Sequence, residues 1–200
     1  MEVLGLYGGT FGPPHMGHIH AAHAFLSEIP MDKLLIMPTF LPPHKVKVKG
    51  DTPAVRYEMC LTAFGNLEKT EVSDYEIRKA DTSYTVETLR YLHSGEEKKI
   101  YMLCGTDMFL TLDTWNSAEE IFHLSHIVCI PRYNGTDEIL YRKKAEYEEK
   151  YHKEIHILKT VPMELSSTTV RNAIRNGEDL TGLVPDAVAE ICKREQLYMD

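Results

Sequence analysis

The stretch Val3-Leu4-Gly5-Leu6-Tyr7 is followed at once by Gly8-Gly9-Thr10-Phe11-Gly12-Pro13-Pro14-His15-Met16-Gly17-His18. Its first five residues form a short apolar run of the kind that makes a strand buried on both faces. Beyond the loop, Ala21, Ala24, Phe25 and Ile29 recur at helical spacing, so the loop joins a buried strand to a helix. Glycines without a Cβ let backbone approach an anion closely, and the N–H groups at a helix start add a partial positive charge. The loop therefore reads as a phosphate site, with Gly8, Gly9, Thr10 and Phe11 along the approach. His15 and His18, three residues apart, would lie on neighbouring faces of the first helical turn and aim imidazole N–H groups at that anion. A plain turn with surface histidines explains each feature singly but not their combination in eleven residues. The loop has neither the Gly-Lys-Ser/Thr of a P-loop nor the spacing G-x-G-x-x-G.

Working outward, Leu34 to Met37, Ile100 to Cys104, Ile127 to Ile130 and Ile155 to Leu158 are further strand-like apolar runs. Between them, Met59, Leu61, Ala63 and Phe64, and then Val86, Leu89 and Leu92, carry helical spacing. Alternating strand and helix predicts an α/β fold: a Rossmann-like, doubly wound, mostly parallel sheet whose ligands sit beyond the carboxyl ends of the strands. Two stretches break the pattern. Residues 38–53 hold Pro42-Pro43 and read as a basic surface loop, and residues 134–153 read as a solvated helix with Glu/Lys pairs. From Ser166, two short helices are expected, Ser167 to Arg175 and Asp186 to Gln196, forming a small helical C-terminal cap within one domain spanning 1–200.

Composition narrows the function. The chain has 200 residues, 43% hydrophobic and 26% charged, as expected of a globule. No apolar run approaches the roughly 18–20 residues that span a bilayer, and the start lacks the features of a secretory leader, so a cytoplasmic protein without membrane partners is expected. The 22 basic against 30 acidic residues give a net charge of −8, which argues against sequence-independent nucleic-acid binding. Cys60, Cys104, Cys129 and Cys192 are widely spaced and read as free, partly buried thiols. His15, His18, His20 and His23 invite a zinc reading, but the spacing lacks the usual i, i+4 pair with a carboxylate, so no metal is assigned to protein ligands.

Four other places bear on chemistry. Ser166 or Ser167 can cap a final helix, and Arg171, one turn on, can bring its planar fork to the same phosphates as Ser166, Ser167 and Thr168. Asp107 follows a buried strand and suits a ribose hydroxyl or an adenine amine, with helix capping as the competing role. Trp115, the one tryptophan, reads on its own as an apolar core filler. Lys45, in a lysine cluster beside two prolines, suits a lid over phosphates.

Together these residues resemble the nucleotidyltransferase superfamily marked by His-x-Gly-His or Thr-x-Gly-His, and within it the bacterial nicotinate mononucleotide adenylyltransferases. The likeness runs through the loop, Pro42-Pro43-His44-Lys45, Ser83-Tyr84-Thr85 with Leu89, Gly105-Thr106-Asp107, Trp115 and Ser166-Ser167-Thr168 with Arg171. One departure is Gly12, where many members carry an acidic residue, so any contact that acid makes must here be absent or replaced. The resemblance implies transfer of AMP from ATP to nicotinate mononucleotide, with Mg²⁺ carried on the ATP phosphates. His15, His18 and Arg171 would be catalytic; Gly8 to Phe11, Asp107 and Ser166 to Thr168 would hold ATP. Lys45, Tyr84, Thr85 and Trp115 would hold the mononucleotide, with Trp115 stacked on the pyridine. Partners would be the two small substrates, and a homo-oligomer stays open. The competing readings are a related transferase acting on nicotinamide mononucleotide or pantetheine phosphate or using CTP, a class I aminoacyl-tRNA synthetase fragment, and a nucleotide-binding regulator without turnover.

Overall fold

Residues 1–41, 50–95, 97–133, 135 and 137–199 are described by a computed structural model. In chain order the elements are β1 (Glu2–Gly9), α1 (Met16–Glu28), β2 (Lys33–Pro38), α2 (Pro53–Phe64), β3 (Thr70–Val72), α3 (Tyr75–Lys79), α4 (Thr85–His93) and β4 (Lys98–Gly105). Then come α5 (Thr106–Leu110), a single 3₁₀ turn (Leu112–Thr114), α6 (Ala118–Leu124), β5 (His126–Ile130), α7 (Asp137–Tyr151), β6 (His156–Ile157), α8 (Ser167–Arg175) and α9 (Asp186–Arg194).

The strands form one six-stranded sheet in the order β3-β2-β1-β4-β5-β6, the order of a doubly wound sheet. β1 pairs with β4 in parallel, Leu4 opposite Ile100 and Leu6 opposite Met102. β4 pairs with β5 in parallel, Cys104 opposite Cys129, and β5 with β6, Val128 opposite His156. The apolar runs are strands because both their faces are covered: Leu4, Leu6, Leu34, Ile36, Ile100, Leu103, Ile127 and Val128 are all buried. The Rossmann-like expectation therefore holds, and the two C-terminal helices form where the sequence places them, α9 ending at Arg194 rather than Gln196.

Residue contacts group the chain into two compact units. One comprises residues 1–7, 23–34 and 84–164; its core gathers Phe25, Phe109, Phe122 and Tyr147. The other comprises residues 8–22, 35–83 and 165–200; there Met59, Val170, Val188, Ile191 and Leu197 are buried together. α7 carries the expected charge pairs, Lys144 with Glu148 at 3.4 Å and Lys143 with Glu146 at 3.3 Å. It is not wholly solvated, however, because Leu140 and Tyr147 are buried and Tyr147 meets Phe109 and Phe122 edge to face. The four cysteines are free and fully buried, and burial pushes the Cys104 and Cys192 thiols up to about 12.

Candidate active site

The loop leaving β1 is shaped by side chains packed beneath it. Phe11 has a left-handed backbone, φ 50°, a conformation that costs a non-glycine residue energy and persists only where surroundings fix it. Its buried ring meets Phe64 at 5.7 Å and His18 at 5.0 Å, so the ring is loop support and only its main chain can face a nucleotide. A Cβ on Gly9 would sit 3.1 Å from that ring, whereas one on Gly8 would meet nothing within 4 Å. Gly9 thus accommodates packing below the loop, and Gly8 leaves an open face above it.

His15 precedes α1 instead of lying on it, and its buried ring stacks on His18 with centroids 3.7 Å apart. The His15 amide donates to His18 Nδ1 at 3.2 Å. An Nδ1 that accepts must leave the ring proton of a neutral imidazole on Nε2, so the loop selects the Nε2–H donor form of His18. Gly17 explains the motif's spacing: a Cβ there would sit 3.0 Å from both Cε1 and Nδ1 of His15. The helix start is less open than the sequence suggests. The Met16 amide already donates to Leu183 O at 2.9 Å, because the segment before α9 covers it.

α8 closes on the same loop. Ser166 is its N-cap, its Oγ accepting from the Thr169 amide at 3.1 Å, as the capping reading predicts. Ser167 Oγ donates to Pro13 O at 3.1 Å. Arg171 spans two acceptors, Nη1 to Gly12 O and Nη2 to Thr168 Oγ1, both at 2.8 Å. α8 is therefore fastened to the Gly-rich loop, with the Arg171 guanidinium held at the loop. Lys45 lies outside the described residues.

Two residues that the sequence reading passed over lie under this loop. The Arg56 side chain of α2, 3% exposed, donates to Thr10 O at 2.9 Å, Thr39 O at 2.6 Å and Phe40 O at 2.9 Å. Its Nε faces Asp51 Oδ1 at 3.0 Å. Burial lowers the Arg56 pKa and Asp51 opposes that shift. A signal for Arg56 existed: it lies three and four residues before Met59 and Cys60, on the buried stripe of α2, where an arginine needs partners.

Of the residues expected to meet the mononucleotide, Tyr84, Thr85 and Trp115 belong to the other unit. Thr85 opens α4, with Tyr84 as its N-cap residue, and both are half-buried. Trp115 ends the 3₁₀ turn and is also half-buried, so it is not the core filler that its type alone suggests. That turn is anchored from below: the Tyr147 hydroxyl accepts from the Asp113 amide at 3.3 Å and lies 3.0 Å from both Asp113 Oδ1 and Phe109 O. Lys143 Nζ holds the second Asp113 oxygen at 3.1 Å. α4 and α6 are linked by Arg90 Nε to Glu120 Oε1 at 2.7 Å. Asp107 sits in the first turn of α5 without capping it; its carboxylate is 59% exposed, 3.4 Å from the Tyr133 hydroxyl and 3.7 Å from Arg132 Nη1. Among the described residues, no group of three or more His, Cys, Asp or Glu is placed to hold a metal ion.

The profile of the Cytidylyltransferase-like family matches residues 6–173. A Clostridium novyi (strain NT) protein named "Probable nicotinate-nucleotide adenylyltransferase" is 33% identical over 199 residues, covering 99% of this chain and 100% of its own. A Clostridium tetani (strain Massachusetts / E88) protein of the same name is 34% identical over 200 residues, with 99% and 100% coverage. The chain belongs to the nicotinate-nucleotide adenylyltransferase family. The fold of this adenylyltransferase chain agrees with that of the Plasmodium falciparum nicotinic acid mononucleotide adenylyltransferase complexed with NaAD, at a TM-score of 0.78 and 16% identity. That match covers 99% of this chain and 98% of the other. The Gly-rich loop, the Trp115 turn and residues 167–173 of α8 fall within the span of the family profile.

Proposed function

We infer that the chain transfers AMP from ATP to nicotinate mononucleotide, releasing pyrophosphate and forming deamido-NAD. The observation that carries the reaction type is the stacked His15–His18 pair, whose geometry leaves His18 Nε2 as the proton-bearing nitrogen beside a Gly-rich loop. The substrate assignment rests on the name of the full-length relatives.

The chemistry asks little covalent work of the protein. An oxygen of the mononucleotide's 5′-phosphate attacks the α-phosphorus of ATP, the bond from that phosphorus to the bridging oxygen breaks, and pyrophosphate leaves with the electron pair. The attacking oxygen is already anionic, so no protein base or nucleophile is required; catalysis is positioning plus stabilisation of charge. His18 donates from Nε2 to the α-phosphate, with His15 stacked behind it. Gly8 to Phe11 line the phosphates through their main chain. Arg171 faces the β- and γ-phosphates with Ser166, Ser167 and Thr168, and Asp107 serves the adenosine. Trp115 stacks on the pyridine, Tyr84 and Thr85 flank its carboxylate, and Lys45 is assigned to the mononucleotide by the resemblance alone. Mg²⁺ bound through the ATP phosphates would supply charge neutralisation for the leaving pyrophosphate.

We read the chain as one nucleotidyltransferase domain working in the cytoplasm on small molecules. The four buried cysteines, all free, fit a reducing compartment. The test is incubation with ATP and Mg²⁺ plus either nicotinate or nicotinamide mononucleotide, following pyrophosphate and dinucleotide. Dinucleotide from the nicotinate form in clear preference is the expected result. Equal use of both would overturn the selectivity, and no product from either would overturn the reaction.

A further inference from the structure

Gly12 has an ordinary backbone, not the left-handed one that demands glycine, yet it has no room for a side chain. A Cβ built there would sit 2.7 Å from Asp51 Oδ2 and 3.6 Å from both Asp51 Cγ and Arg56 Cδ. The space beside residue 12 is thus filled by a carboxylate arriving from another part of the chain. That carboxylate is 92% covered, being 8% exposed, and is paired with the buried Arg56 guanidinium. Arg56 in turn holds Thr10 O on the phosphate loop and Thr39 O and Phe40 O on the chain leaving β2. The buried Tyr198 hydroxyl faces the same carboxylate: burial and then Asp51 raise its pKa. On its other side, Gly12 accepts through its carbonyl from Arg171.

We propose that Asp51 is a positioning residue for the phosphate site: it supplies, from the chain just ahead of α2, the carboxylate against which the loop is set, and Gly12 is the glycine that makes space for it. Arg56 is the coupling between them. The guanidinium fixes the main chain at Thr10, and the carboxylate fixes the guanidinium while occupying the volume beside Gly12. The position of Gly12 O, and through it of Arg171, follows from this lock. Neither Asp51 nor Arg56 touches substrate in this scheme. Because Asp51 Oδ2 lies 2.7 Å from where a Cβ of residue 12 would be, a carboxylate grown from residue 12 would reach the same guanidinium. The charge belongs to the place, not to position 51.

This makes charge relocation the test, in full-length protein: Asp51→Gly, Gly12→Asp and the double variant, each assayed for melting temperature, nucleotide affinity by calorimetry with ATP, and kcat and KM for ATP. Asp51→Gly removes the carboxylate and Gly12→Asp crowds two into one space, so each is expected to weaken ATP binding or kcat by about tenfold, as sub-ångström misplacement does. The double variant is expected to recover to within about threefold of the parent. A purely structural pair would change the melting temperature and leave kcat and KM of the folded protein alone; that result, or a double variant no better than the worse single, overturns the proposal. If Asp51→Gly does not fold, the isosteric Asp51→Asn replaces it; a folded Asp51→Asn with parental ATP affinity, kcat and KM overturns the lock equally. The inference rests on the adenylyl-transfer reading for its kinetic arm only. Should the parent bind ATP without turnover, that reading fails, and calorimetry across the same variants still decides the lock.

Discussion

Replacing Gly17 by alanine sets helix preference against site geometry. Within a helix, Gly→Ala gains about 1 kcal/mol. Here the new Cβ would lie 3.0 Å from two atoms of the His15 ring and 3.5 Å from Leu165 Cβ, where carbon contacts normally settle at about 3.5–4.0 Å. The ring cannot simply swing away, being 2% exposed and stacked on His18 with centroids 3.7 Å apart. Overpacking of this kind costs about 1–3 kcal/mol, so the net loss is between zero and about 2 kcal/mol. At roughly 2–4 °C per kcal/mol for a chain of this size, the melting temperature falls by no more than about 8 °C, and the protein stays folded at 25 °C. Turnover should suffer more. Moving His15 by about 0.5 Å displaces His18 with it, and since a 1 Å error costs about 100-fold, a 10- to 100-fold drop in kcat is expected. Pyrophosphate release at saturating ATP and nicotinate mononucleotide, beside a thermal melt, reads both quantities. A folded variant whose kcat stays within twofold of the parent would refute the claim that Gly17 seats the histidine pair.

Three further outcomes are expected. His18→Ala should lower kcat by about 100- to 1,000-fold with little change in KM for ATP, the signature of a donor that acts on developing charge; unchanged turnover in a stopped assay would remove His18 from the mechanism. Tyr147→Phe leaves the buried Phe109 carbonyl and Asp113 amide without their hydroxyl partner, which should cost about 1–3 kcal/mol in urea unfolding and raise KM for the mononucleotide while sparing that for ATP. An equal rise in both KM values would detach Tyr147 from the Trp115 turn. Burial, followed by Lys99, Lys153 and His156, lowers the His126 pKa below 6.5, with Glu154 opposing. The folded state then binds fewer protons than the unfolded one below 6.5, so this contribution to stability is complete above that pH and is lost as pH falls toward the folded pKa. Urea titrations at pH 5 and 7.5 should show a smaller pH effect in His126→Asn than in the parent, and parallel slopes would contradict it.

The sequence spoke clearly where local pattern and burial agree. Five strands were legible because their apolar runs are covered on both faces, and α8 was legible to the residue because a serine cap precedes an alternation of polar groups with Val170 and Ala173. β3 and α3, at three and five residues, are too short to establish a period. Reading residues 134–153 as a solvated helix missed Tyr147 because its charged neighbours mask a single buried stripe. In the candidate site, the loop and α8 were readable as separate anion-binding pieces, but their fastening through Ser167 and Arg171 joins residues more than 150 apart in sequence and leaves no local trace. Arg56 announced itself by standing among apolar residues, whereas Asp51 could be found only from the structure, where its carboxylate fills the space beside Gly12.

The unit that carries the Gly-rich loop is assembled from three separated pieces of chain, residues 8–22, 35–83 and 165–200. During synthesis the glycines emerge from the ribosome well before Ser167, Arg171 and Leu183, the groups that finish their setting. A nascent chain paused anywhere before Ser166 displays the fingerprint of a nucleotide site and has no means to close it. Ribosome-bound intermediates of that length should therefore leave ATP alone, and a stop codon placed just before Ser166 should abolish nucleotide binding as thoroughly as a lesion in the loop.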